Sequence, residues 1–301
     1  MLTTLALLAA SFAGVQVTSA NVAAEAPASY TREIEDWRTR RVTRLQAPDG
    51  WLSLIGLHWL KEGRNRIGTD EDNDIVLAKG PARLGVVTLA DGKARIQLDP
   101  KAGATIDGDK RASAELLDDS HETPTTVAFG SASFYLIDRN GRKGLRVKDP
   151  EAATRTHFVG IDYFPIDPSW RVQATWVPFT PPHTLDIPTV LGTVDRMPVP
   201  GKAVFERDGK RYELLPVVEE EGSDQVWFIF ADRTSGKETY GAARFLYADK
   251  AKDGKLVIDF NKAYNPPCAF TPYATCPLAP PENRLDLRVT AGEKKYRGGH
   301  H

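Results

Sequence analysis

The sequence predicts a mainly β protein: an N-terminal helix, then an antiparallel β-sandwich packed against a second antiparallel β-sheet region. Three observations carry this. Asp-Gly or Asn-Gly pairs recur at Asp91-Gly92, Asp107-Gly108, Asn140-Gly141, Asp208-Gly209 and Asp253-Gly254, and these residues accept the positive φ of tight hairpin turns. Short β-rich runs flank the pairs, among them VVTLA and ARIQL, ASFYLI and LRV, AVFER and YELLPVV. The stretch from Ser29 to about Ala47 instead has the helical period, with Tyr30, Ile34, Trp37, Val42 and Leu45 near one face and arginines on the other.

Residues 1–26 read as a signal peptide. The start, LTTLALLAASFAGVQV, is uncharged and apolar or small, and small residues follow through Ala20 and at Ala24 to Ala26. Gln16, Thr18 and Ser19 interrupt the apolar run short of the roughly 20 residues a membrane span needs. The expectation is a secreted or periplasmic protein with no stable membrane span after cleavage; an uncleaved anchor is the alternative. With 39 basic and 40 acidic residues the net charge is −1, which excludes the one-sided basic excess that nucleic-acid partners require. The cluster Arg38, Arg40, Arg41 and Arg44 reads as a solvated helix face.

The remaining chain divides by composition. Residues 27–62 hold the helix and a connecting segment, and residues 63–150 the sandwich. A break near Lys148-Asp149-Pro150 precedes longer aromatic strands, WRVQATWVPF and QVWFIF, in a C-terminal β domain over 151–295. The proline-rich VPFTPPHTLDIP reads as a crossover between sheets, and 296–301 as a flexible tail. Arg146 and Asp149 at the junction, and Arg171 beside Trp170, are expected to form structural ion pairs.

Asp259 to Leu285 concentrates both cysteines and six of the 21 prolines. Proline fixes φ and removes a backbone donor, so this stretch must be a stiff irregular loop held by something else. Cys268 and Cys276 would close a nine-residue ring, a disulfide contributing about 2.5 kcal/mol in the chain-entropy model. A nucleophilic thiolate or redox pair is the sharper alternative, and needs a nearby base or positive charge.

Known catalytic motifs are missing. Gly130-Ser131-Ala132-Ser133 lacks the closing glycine of a nucleophile elbow, and no glycine loop suited to phosphate occurs. His58, His121, His157 and His183 stand apart, and with two cysteines no metal site is expected. No cofactor is called for.

Two segments supply candidate binding residues. Around the proline-rich loop these are Asn261, Tyr264, Asn265 and Asn283, whose amides are free to act as caps or ligands. In DRTSGKETYGAARFLY, Glu238, Tyr240 and Arg244 alternate along an expected strand opposite Ala243, Phe245 and Tyr247, which suggests one polar cavity wall.

Residues 63 to 77, GRNRIGTDEDNDIVL, resemble the opening of a forkhead-associated domain, which implies a β-sandwich scaffold. The family's phosphothreonine-gripping Arg, Ser and His have no counterparts here: Thr69 follows Gly68, and PARLGVVTL has neither Ser nor His. Read in order, GWLSLIGLHWL, LRVKDP, FVGIDYFPIDPSW, TSGKETYGAARFLY and AYNPPCAF with TCPLAPPENRL resemble the bacterial and archaeal family called domain of unknown function 1684, over essentially all of the mature chain. That resemblance implies no substrate, cofactor or catalytic residue.

The function expected from the residues is binding of a small polar or anionic molecule in a C-terminal pocket, through Arg244 and the loop asparagines, with Trp227, Tyr240 or Tyr264 as walls. Two other classes stay open. One is a hydrolase using Glu238, Asp259 or Glu282 as acid and base, for which carboxyls must face each other across a cleft. The other is an envelope interaction module with an exposed apolar patch in the first half.

Overall fold

The computed structural model describes residues 27–298; the expected signal peptide lies outside them. An 18-residue helix, α1 (Ala28–Leu45), opens the chain and buries Tyr30, Ile34, Arg41 and Leu45. The face follows the expected period with one correction. Arg41 lies on the buried stripe, not on a solvated face, because Glu293 neutralises it there at 3.1 Å. Among the described residues no helix is long and apolar enough to cross a membrane.

Ten strands follow: β1 (Leu54–Trp59), β2 (Gly63–Gly68), β3 (Ile75–Val76), β4 (Gly85–Ala90), β5 (Lys93–Leu98), β6 (Thr105–Ile106), β7 (Ser113–Leu116), β8 (Thr126–Phe129), β9 (Ala132–Arg139) and β10 (Arg142–Lys148). They form two five-stranded sheets, ordered β1-β10-β9-β8-β6 and β3-β2-β4-β5-β7. Alternation decides which side chains meet between them: Ile67, Val87 and Ile96 from one sheet pack with Phe134, Leu136, Leu145 and Val147 from the other. All pairings are antiparallel except the short β2–β3 contact, which is parallel.

After the short helix α2 (Ala153–Thr156) come β11 (Arg171–Pro188), β12 (Val194–Arg207), β13 (Lys210–Leu214), β14 (Gln225–Phe230), β15 (Arg244–Asp249) and β16 (Lys255–Asp259). β13-β12-β11-β16 make one sheet, and β14-β15 a separate ribbon. VPFTPPHTLDIP is the distal half of β11, paired with β12 across an irregularity between Pro178 and His183, and not a crossover between sheets. Both faces of the ribbon contribute to cores, although Tyr247 and Asp249 stay exposed. Phe228, Phe230 and Leu246 enter one core cluster with Phe205, Ile258 and Phe260, while Trp227, Ile229 and Phe245 enter another with Ile187 and Val199.

Asp91, Asp107, Asn140, Asp208 and Asp253 all have φ between 50° and 55°, and each following glycine is also positive. These are the turn positions the sequence marks, and they set the β4–β5, β9–β10 and β12–β13 hairpin registers.

Candidate functional site

A cleft of about 1540 Å³ opens between α1, the ribbon, the β11–β16 edge and the proline-rich loop. α1 contributes Glu33, Trp37, Arg41 and Arg44, a stripe set by the i, i+4 period. β14 and β15 contribute Trp227, Phe245 and Tyr247; the pair Trp227 and Tyr247 stand directly opposite in register, so their rings share a face. β16 and β11 add the cross-strand pairs Val257–Gln173 and Asp259–Arg171.

The aromatic side chains form a continuous row. Trp227 and Tyr247 have ring centroids 6.0 Å apart at 14°, Tyr247 and Tyr264 6.4 Å apart at 15°, and Trp37 lies 6.5 Å from Tyr264. Phe245 meets Trp227 and Tyr264 edge-on beneath them, at 4.7 and 5.8 Å, which fixes the ring planes. The Arg41 guanidinium lies 4.7 Å over Tyr264. Tyr247 stays 39% exposed and donates its hydroxyl to Glu219. Burial pushes the Tyr247 and Tyr264 phenols up, so both remain protonated donors at neutral pH.

Two buried polar atoms of cleft residues have no partner among the described residues: the indole Nε1 of Trp227 and Oδ2 of Asp259. One is a donor and the other an acceptor, and both atoms are enclosed.

The expected site residues do not form one pocket. Arg244 is 1% exposed; it donates to Asp232 at 2.9 Å, to the Val289 carbonyl at 3.1 Å and to the Ala291 carbonyl. Glu238 and Tyr240 precede β15 and share no strand with Arg244. Glu238 accepts from Arg288 at the surface, and the Tyr240 hydroxyl donates to the Cys268 carbonyl at 3.2 Å. The alternation in β15 is real but its faces are reversed: Arg244, Leu246 and Ala248 enter the core, and Phe245, Tyr247 and Asp249 face the cleft.

The three asparagines are spent on internal hydrogen bonds, most of them to backbone groups. Asn261 donates to the Tyr30 hydroxyl and the Asp167 carbonyl, both at 2.9 Å. Asn265 donates to the Lys294 carbonyl at 2.8 Å. Asn283 bonds Leu215 N–H at 2.8 Å and the Leu215 and Ile229 carbonyls at 2.9 and 3.0 Å. Of the candidate carboxylates, only Asp259 lines the cleft. Glu282 is exposed on a turn at Pro281–Asn283. Tyr264 and Trp227, both expected as walls, do line the cleft.

The expected disulfide is also corrected. Cys268 and Cys276 are both buried free thiols, and the Cys268 N–H donates to Cys276 Sγ at 3.1 Å. The loop is held instead by strand-like bonds to the end of β11, Leu278 N–H to Pro188 O at 2.7 Å and Val190 N–H to Cys276 O at 3.0 Å. The hydrogen bond from its partner lowers the Cys268 pKa, while burial raises that of Cys276. No group of three or more His, Cys, Asp or Glu among the described residues is placed to hold a metal ion.

The sequence reading missed Trp37 and Tyr247 as cleft residues. Trp37 was legible as part of the α1 stripe, but periodicity alone assigns it to a core. The cleft lining also includes Trp51, Arg139 and Thr275, which nothing local in the sequence joins.

Residues 156–294 match the model of a family described as "Protein of unknown function (DUF1684)". The match covers the second half only, so GWLSLIGLHWL and LRVKDP lie outside it. The chain is also similar to an uncharacterized protein of Haloarcula marismortui with a solution NMR structure, at 31% identity over 46% of this chain and 78% of that one, with a TM-score of 0.40. No curated protein matches.

Proposed function

We propose that this chain, which carries a DUF1684 domain over residues 156–294, is a binding protein for a small polar molecule with a flat apolar face. The observation that carries this reading is the row Trp37, Tyr264, Tyr247 and Trp227 along one cleft, beside the unpartnered Trp227 Nε1 and Asp259 Oδ2. A ring row offers apolar contact that tolerates many ligands, and a few polar atoms among it fix orientation. The cleft volume exceeds the ~300–1,000 Å³ of typical small-molecule pockets, which suits an extended ligand such as an oligosaccharide. The uncharged start of the chain supports export, so the ligand is met outside the cytoplasm. In this reading the first half, whose opening resembles the forkhead-associated scaffold, supplies part of the cleft lining through Trp51 and Arg139 and binds no phosphopeptide.

A thermal-shift screen of mono- and oligosaccharides and aromatic acids tests it. A hit should stabilise the fold by mass action. Tyr247→Ala should weaken that hit at least tenfold while leaving the apo melting temperature nearly unchanged, because the ring is partly exposed. Absence of any hit, or a hit indifferent to Tyr247→Ala, rejects the reading.

A further inference from the structure

α1 presents three cleft residues on one stripe. Trp37, Arg41 and Arg44 follow one another at i, i+4 and i+7, and all three line the cleft. The sequence marks the two arginines as parts of one basic face, but the fold gives them different surroundings. Arg41 is 8% exposed, whereas Arg44, nearer the end of the helix, is exposed. The ion pairs of α1 join Arg41 to Glu293 and Glu33 to Lys262 and Arg171; no carboxylate among the described residues lies within ion-pair distance of Arg44. Asp49 lines the cleft as well, and it too stands outside that distance.

Only part of the Arg41 guanidinium is spent. Nε donates to Glu293 Oε1 at 3.1 Å and Nη2 to the Asn265 carbonyl at 2.9 Å. Nη1 has no partner among the described residues and, unlike the unpartnered Nε atoms of Arg38, Arg146 and Arg244, it is not enclosed. An unpartnered nitrogen with open surface, on a side chain that lines the cleft, is a donor that a ligand there can reach. Glu293 Oε2 accepts from the Asn265 N–H at 2.7 Å, and the guanidinium lies 4.7 Å over the Tyr264 ring. The group is thus held in one orientation before any ligand arrives, which removes an ordering cost from binding.

We propose that Arg41 and Arg44 bind the acid group of the cleft's ligand, its carboxylate, sulfate or phosphate, beside the ring row that takes its apolar face. The site rests on the cleft reading and narrows the ligand to an organic acid with a flat face, such as an acidic saccharide or an aromatic acid. Planar guanidinium donors suit an oxyanion through charge-assisted hydrogen bonds. The anion-recognising role passes from Arg244, which is buried among its own partners, to two arginines that line the cleft.

Calorimetric titration of the full chain with matched acids and neutral analogues tests this. The pairs are indole-3-acetate against indole-3-acetamide, and oligogalacturonates against their methyl esters, at low ionic strength where an exposed charge is least screened. Each pair keeps the flat face and changes the charge. At least one acid should bind about tenfold more tightly than its neutral partner. Arg44→Gln should erase that preference and leave the neutral compound's affinity unchanged. Arg40→Gln removes the same charge from an exposed α1 position outside the cleft lining, and should leave the preference intact. Arg41→Lys keeps a cation beside Glu293 and should reduce the preference severalfold; should that variant fail to fold, the other two carry the test. Equal affinity for acid and neutral partner, a preference unchanged in Arg44→Gln or in folded Arg41→Lys, or an equal loss in Arg40→Gln overturns the proposal. Binding of neither member of any pair rejects it together with the cleft reading. Tyr247→Ala separates the two: neutral binding that needs Tyr247, with no gain from the acid, rejects only the arginine site, and an Arg44-dependent preference indifferent to Tyr247→Ala rejects only the ring row.

Discussion

Arg244 and Asp232 face each other at 2.9 Å with side-chain exposures of 1% and 0%. The pair joins the first residue of β15 to the segment before it, and two further donors from Arg244 hold the carbonyls of Val289 and Ala291. Asp232 Oδ1 in turn accepts from Thr234 N–H at 2.8 Å and from the Thr234 hydroxyl at 2.7 Å. Burial lowers the Arg244 pKa and Asp232 opposes it. A charge this deep is held by its partners and has no surface open to a ligand.

Arg244→Ala is therefore expected to destabilise the fold by about 3–5 kcal/mol, the cost of stranding a buried charge, and to leave ligand recognition untested because little folded protein remains. The double substitution Arg244→Met with Asp232→Leu should recover much of that loss, since neither charge is then left alone. Urea unfolding of the wild-type protein and the two variants measures both effects. A stable, cooperatively folding Arg244→Ala protein contradicts the structural role.

Gly292 and Gly209 separate backbone strain from crowding. Both have positive φ, 79° and 71°. A Cβ at Gly292 would lie 2.4 Å from the Ala263 carbonyl oxygen and 2.8 Å from that of Phe260, whereas nothing lies within 4 Å at Gly209. Gly209→Ala should cost about 1–2 kcal/mol from the left-handed conformation alone, and Gly292→Ala a further ~1–3 kcal/mol from overpacking. Equal losses in denaturant titrations would show that crowding at Gly292 is relieved by backbone movement.

His58 gives the fold a pH dependence near neutrality. It sits half-buried on β1, and burial lowers its pKa from 6.5. The unfolded histidine then binds a proton at higher pH than the folded one, so stability is complete above about 6.5 and falls as the pH drops below it. Asp118 acts in a separate window. Burial raises it, but Lys143 and Ser120 outweigh that and hold it well below 3.8, so its contribution is lost only as the pH falls below the unfolded carboxylate value. Stability measured between pH 7.5 and 5 should decline, and His58→Gln should flatten the decline; an identical slope in the variant assigns the effect to other groups.

The hairpin turns, the α1 stripe and the β class were legible because they rest on local chemistry. Asp and Asn before Gly tolerate φ > 0 wherever they fall, and Tyr30, Ile34 and Leu45 share a helix face whatever packs on it. Alternation in β15 was equally legible, but which face meets the cleft was not. Both faces of the ribbon carry apolar side chains, one packed on Phe205, Ile258 and Phe260 and the other on Ile187, Val199 and Cys268, so polarity gives no direction. The polar side chains of Arg244, Asn261, Asn265 and Asn283 look like ligand groups in one dimension; their partners lie 12 to 231 residues away or in distant backbone.

What the sequence by itself determined is the mainly β class, the turn positions and the irregular proline-rich loop, since φ preference and side-chain period act over a few residues. Only the tertiary structure decided where charge is satisfied. Arg41 acquires Glu293 across 252 residues, and Arg146 acquires no carboxylate although Asp149 stands three positions on. The energy of a buried charge depends on what the fold brings within a few ångströms of it, and chain order does not specify that distance.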